Sequence, residues 1–218
     1  MEKILVFAPH NDDEILGVGG TIAKYIRENN EVYVCELTSD NSNVELMEQI
    51  KQEAKEAHNL LGIKETFYLE LPVVAIKDTP TIEVNAKVKK IVEQVKPEIV
   101  FIPHKGDMHI DHVETAKAVM VAARPMENPQ LKAIYAYETL SETEWNIPTV
   151  DNAFLPNCYS DITNYIELKK QAMACFKTQL KKFPHPRSLE AIEVLSKLRG
   201  STIGVKYAES FMLIRKKI

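Results

Sequence analysis

The run Ile4-Leu5-Val6-Phe7-Ala8, stopped by Pro9, leaves this chain few ways to fold. An unbroken apolar run has no face to offer water, so it suits a strand buried on both sides, as in a parallel sheet. His10, Asp12, Asp13 and Glu14 follow at once, and then Gly17, Gly19 and Gly20, three of only seven glycines in the protein. After them Ile15, Leu16, Ile22, Ala23 and Ile26 recur at helical spacing. The acidic cluster therefore sits at a strand-to-helix junction, where open α/β sheets place their ligands.

Imidazole nitrogen and carboxylate oxygen are the usual ligands of a catalytic divalent metal, three from the protein with one position left for water. His10 and Asp13 can turn toward one point from a tight loop, leaving Asp12 beside them. Three neighbouring acids equally suit the positive end of a helix. That second reading accounts for neither His10 nor the glycines. About ninety residues later the pattern returns: Glu98-Ile99-Val100-Phe101-Ile102 ends in proline and leads into a loop carrying His104, Asp107, His109, Asp111 and His112. Half of the six histidines fall in that loop, and Val113, Ala116, Val119 and Met120 then mark one face of a helix. Two strand-end loops of a parallel sheet open on the same edge and can converge on one metal.

The segments PHNDDE, LGVGG and DMHIDH, with IVFIPH and the late LRGSTIGVKYAESF, resemble the PIG-L/LmbE-type family of zinc-dependent N-deacetylases across most of the chain. Asn11 stands where that family commonly has proline, and Lys51 where relatives often carry arginine. The resemblance implies that His10, Asp13 and His112 bind Zn2+, with Fe2+ or another divalent ion left open. It makes Asp12 the general base, His109 the oxyanion stabiliser or acid, and Asp111 the group that orients His109. It also implies hydrolysis of an N-acetyl amide on a small amino sugar of N-acetylglucosamine type. Such chemistry needs an activated water, a positive group for the developing oxyanion, and a proton for the leaving amine. Two other classes stay in view. A phosphoesterase or other metallohydrolase would keep the metal, but no phosphate-binding glycine loop or arginine clamp is present. A non-enzymatic sugar- or nucleotide-binding module would use Gly19-Gly20 as an anion site at a helix start.

Weaker expectations attach to other residues. Glu14 is read as a first-turn acid, Asp107 as a loop anchor or support for a ligand, His104 as a structural residue at a strand end, and His58 as a packing or surface histidine. Trp145 is read as a loop-anchoring aromatic or a ring that stacks on a sugar face, Arg124 as a helix-end cation or a contact to a substrate carbonyl or carboxylate, and His185 as able to approach a substrate only if its loop folds back; substrate-binding residues are otherwise unknown.

Alternating patterns predict strands over 3–8, 31–37, 66–69, 98–102, 131–137 and 210–214, and helices over 19–28, 45–61, 82–95 and 113–123. The expected fold is α/β: one domain, 1–218, with a Rossmann-like, mostly parallel sheet flanked by helices in a three-layer sandwich. Gly62 and Lys96-Pro97 are expected to end helices. Residues 139–157 read as a long functional loop, followed by helices over 161–180 and 188–198, with Asp161 or Thr163 as the cap of the first. Asp40-Asn41-Ser42-Asn43 reads as a turn on the site's edge of the sheet.

A net charge of −4 offers no basic field for nucleic acid. No stretch reaches the ~18 apolar residues of a membrane span. Met1-Glu2-Lys3 leads straight into a strand without a signal peptide, and three scattered cysteines suit reduced thiols, so the expected place is the cytoplasm. A homo-oligomer is compatible with the sequence, which carries no readable interface.

Overall fold

A computed structural model describes residues 1–40 and 42–218. In chain order the elements are β1 (Lys3–Ala8), α1 (Asp13–Arg27), β2 (Glu31–Ser39), α2 (Val44–Leu61), β3 (Glu65–Pro72), α3 (Thr81–Val95), β4 (Ile99–Pro103), α4 (Ile110–Ala122), β5 (Ala133–Tyr137), β6 (Cys158–Asp161), α5 (Ile166–Cys175), α6 (Leu189–Ile203) and β7 (Ala208–Lys216). They build one seven-stranded sheet of order β3-β2-β1-β4-β5-β7-β6. Neighbours from β3 through β5 run parallel, while β7 is antiparallel to both β5 and β6.

The continuous apolar character of β1 is explained by what covers it. Leu5 and Phe7 pack under α3 and α4. Ile4, Val6 and Ala8 pack under α1, α2 and α5. The result is a mostly parallel, Rossmann-like sheet between two helical layers. From β1 the chain winds outward to β2 and β3, then crosses back to lay β4 on the other side of β1. The reversal opens a crevice beyond the carboxyl ends of β1 and β4, the place where such sheets take ligands.

Several boundaries differ from expectation for identifiable reasons. Helix α1 starts at Asp13 rather than at the expected 19, so Gly17 is helical along with Gly19 and Gly20. They are small because the helix is pressed against its neighbours: a Cβ on Gly17 would lie 2.2 Å from the Tyr137 ring, and one on Gly20 2.8 Å from Ile162. The Gly20 and Thr21 amides are taken by the Glu209 carboxylate at 2.8 and 2.7 Å, which removes the anion site expected of a Gly-Gly helix start. Strand β6 was not visible in the sequence, and it claims Asp161. Asp161 thus does not cap the next helix; it accepts from the Thr163 amide in a turn, and α5 begins only at Ile166. At the other end α5 stops at Cys175, five residues short of the expected 180, because Phe176 leaves helical geometry and inserts fully into the core. Gly62 and Lys96 do end α2 and α3 in the left-handed region.

Candidate metal centre

The two strand-end loops converge as the sheet topology requires. Asp13 opens α1, and its Oδ2 accepts from the His10 amide at 2.8 Å, which curls the loop after Pro9 into a tight turn. The same oxygen lies 3.2 Å from His10 Nδ1 and 3.2 Å from His112 Nε2. One donor atom from each of His10, Asp13 and His112 therefore falls within 4.8 Å of the other two, a spacing that could hold a metal ion.

Each imidazole is aimed by the nitrogen it does not offer to that point. His112 Nδ1 meets Asp107 Oδ2 at 2.8 Å, and Asp107 is fixed in turn by the Thr143 hydroxyl at 2.6 Å. His10 Nε2 lies 3.3 Å from Asp111 Oδ2. Asp111 also accepts from the Val74 amide at 2.7 Å, locking it in place. Carboxylates behind histidine ligands are the usual way to set ring tautomer and basicity. The expectation for Asp111 changes in one respect: His10 is its nearer ring, with His109 Nδ1 at 3.8 Å.

The electrostatics mark a place for a cation. Burial disfavours charge on His10, yet Asp111 and Asp13 outweigh it and raise the ring to about 9. Burial likewise opposes charge on His112, and Asp13 and Asp107 still push it well above the ordinary histidine value. Asp13 is held ionised against burial by His112 and His10. Both rings are pushed toward their charged form by the carboxylates around them. His112 Nε2, wholly buried, has no hydrogen-bond partner. Two imidazoles, one of them with an orphaned ring nitrogen, and one carboxylate fit a divalent ion of the zinc type with one side left open.

Asp12 and His109 lie beside this cluster rather than in it. Asp12 Oδ2 is buried and lacks a hydrogen-bond partner. Burial and the Asp13 charge raise its carboxyl to about 6, opposed by Arg187, whose Nη1 is 3.7 Å away. His109 precedes α4, and its Nδ1 accepts from the Asp111 amide at 3.2 Å. Burial, then the His10 charge, bring it down to about 4. A neutral ring whose Nδ1 accepts carries its proton on Nε2.

His10, Asp12, Asp13 and His109 line a cleft of about 270 Å³, near the small end of ligand pockets. Asp40 of the expected turn joins them, beside Ser39 at the end of β2; Ser42 and Asn43 do not line the cleft, and Asn41 lies outside the described residues. The 139–157 loop contributes Ser141 and Glu142. Sequence reading missed Gln179 and Arg187, which face the cleft from beyond α5. Arg187 is held by Gln179 at 3.0 Å, and its amide by the His185 ring at 3.0 Å. No metal-type motif surrounds either residue; only the fold carries them back. Trp145 and His185 stack edge to face at 5.8 Å, and neither they nor Arg124 line the cleft. Lys51 pairs with Glu70. His104 is buried against the Asn152 carbonyl, a structural role.

With this geometry in place, the family model described as GlcNAc-PI de-N-acetylase matches residues 5–123. The chain belongs to the PIG-L family. That match spans β1 through the end of α4 and so contains both halves of the cluster. The probable N-acetyl-alpha-D-glucosaminyl L-malate deacetylase 2 of Bacillus anthracis is 26% identical over 188 residues, covering 81% of this chain and 80% of the relative. The solved structure of the conserved protein TT1542 from Thermus thermophilus superposes with a TM-score of 0.82 at 26% identity, covering 100% of this chain and 97% of the other. N,N'-diacetylchitobiose deacetylase from Pyrococcus horikoshii, solved with an inhibitor, gives 0.77 at 25% identity over 98% and 84%. Among the described residues no helix is long and apolar enough to cross a membrane.

Glu14 lies in the first turn of α1 and His58 is packed into α2, as expected, but the two also meet each other. Glu14 is fully buried, not a solvated first-turn acid, and its Oε1 lies 3.0 Å from His58 Nε2. Glu36 of β2 completes this second group, none of whose members lines the cleft.

Proposed function

We propose that this protein is a zinc-dependent N-deacetylase that hydrolyses the acetamide of a small N-acetylglucosamine-type sugar or conjugate. One observation carries the reading: a His10–Asp13–His112 donor set with the unpartnered Asp12 carboxylate beside it, in one cleft. The names of the deacetylase relatives support the amide and the amino sugar.

When bound by His10, Asp13 and His112, a divalent ion polarises the acetyl carbonyl and lowers the pKa of water to about 7. Asp12 accepts a proton from the attacking water as the new C–O bond forms. It then returns that proton to the amine nitrogen as the C–N bond breaks. His109, neutral at pH 7 with its proton on Nε2, donates a hydrogen bond to the carbonyl oxygen as charge gathers there. Its low value favours this role over that of acid. Arg187 and Glu142 line the same cleft and are positioned to meet sugar hydroxyls. The odd number and spacing of the cysteines lead us to place the reaction in the cytoplasm.

Acetate release from a panel of N-acetylglucosamine compounds, before and after chelation and after zinc restoration, tests the proposal. Zinc-restored release is the expected result. Stoichiometric metal with no release from any member would return the phosphoesterase reading to first place.

A further inference from the structure

Behind the metal loop lies a group of donors that the proposed reaction does not use. Glu14 in the first turn of α1, Glu36 in β2 and His58 near the end of α2 are 0%, 2% and 4% exposed. One donor atom from each lies within 4.8 Å of the other two. His58 Nε2 is 3.0 Å from Glu14 Oε1 and 3.7 Å from Glu36 Oε1. Ligands around a tetrahedral zinc stand roughly 3.3 Å apart, given bonds of about 2.0–2.1 Å.

The surroundings are built as they are around metal ligands. The other nitrogen of His58, Nδ1, meets the Thr66 hydroxyl at 2.8 Å. With Nδ1–H donating to that oxygen, Nε2 turns its lone pair toward the two carboxylates. Asn11 Nδ2 donates to Glu36 Oε2 and leaves Oε1 facing inward. A proline at position 11 has no side-chain donor and could not do this. Glu14 Oε2 and Glu36 Oε1 are buried without any hydrogen-bond partner. Neither glutamate pairs with a lysine or arginine among the described residues, and Lys51 of α2 is engaged by Glu70 at 2.6 Å. Two adjacent buried carboxylates need positive charge from somewhere.

We propose that Glu14, Glu36 and His58 form a second divalent-cation site, closed to solvent and structural in kind. One imidazole nitrogen and two carboxylate oxygens suit zinc, iron(II) or manganese(II). The ion joins the first turn of α1 to β2 and to the last turn of α2. Asp12 and Asp13 sit in or beside that same turn, so the buried ion steadies the loop that carries the open cluster.

The test reads metal and needs no acetyl substrate, so it stands whether or not the deacetylase reading does. Full-length protein is loaded with zinc, desalted and assayed for metal per chain. The expectation is two equivalents in the wild type and one each in His112→Ala and Glu36→Gln. Chelation should then release zinc in two phases, with the slow phase absent from Glu36→Gln. Titration of metal-stripped wild type with Co2+, followed by calorimetry and visible absorption, asks the same question without a variant that could misfold. Two binding events support the site. A single equivalent in the wild type, lost in His112→Ala, overturns it and assigns protons to the buried carboxylates.

Discussion

Two clusters of histidine and carboxylate sit back to back across one turn of α1, Asp13 serving the first and Glu14 the second. Their donor types are the same; their access is not. His10 has a side chain 23% exposed at the cleft, whereas that of His58 is 5% exposed. Successive helical residues are rotated by about 100°, so neighbouring acids in one sequence motif serve opposite sides of the helix. Catalytic metal sites keep a position open, and structural ones are closed by protein. On the proposed roles, exposure rather than the type of donor separates reaction from support.

The largest expected effect breaks the open cluster alone. His112→Ala should lose the metal there and with it all turnover above background, while the Glu36 cluster keeps its ion; loss of both ions would mean that the two are one cooperative site. Asp12→Ala should retain the metal and lose turnover by roughly 10²–10⁴-fold, the usual worth of a general base. Metal analysis decides it, since loss of zinc would make Asp12 a ligand. His109→Ala should also retain metal and slow kcat by roughly 10²–10³-fold, as removal of an oxyanion donor does. Equal zinc occupancy in the His109 and His112 variants would erase the division of labour between them.

How far the sequence foretold all this depends on whether a residue's partner is near it in the chain. The parallel sheet was legible because β1 and β4 are apolar along their whole length, a local signal of burial on both faces. The convergence of the two loops followed from both lying at strand ends, while the choice of His10, Asp13 and His112 as donors came from the family resemblance. Glu36 and His58 were opaque, since an acid in an apolar strand and a histidine in a helix become informative only when Glu14 is seen between them. Arg187 was hidden for the same reason: it reaches Asp12 from 175 positions away through a turn that carries no motif. Strand β6, four residues long and half exposed, is recruited by the antiparallel β7 and has little apolar signal of its own.

The smallest effect sharpens the comparison from the closed side. In metal-stripped protein, burial pushes the Glu36 carboxyl from 4.5 to about 8, helped by Glu14 and opposed by His58. The folded chain then holds a proton across a pH range where the unfolded chain has lost it, so this group's contribution to stability falls as pH rises toward 8. Between pH 6.5 and 8.5 His58, itself lowered by burial, is present in wild type and Glu36→Gln alike, so its own titration drops out of the difference between them. At 1.36 kcal/mol per unit, the window is worth about 2 kcal/mol at most, or roughly 4–8 °C in Tm for a chain of this size. Stripped wild type should therefore lose more Tm across that window than stripped Glu36→Gln, in which the group no longer titrates. Added zinc should flatten the wild-type curve, because a cation replaces the proton, and should leave the slope of Glu36→Gln where it was. Parallel curves for the two proteins, with and without zinc, would show that the buried carboxylate neither takes up the proton nor yields it to a metal.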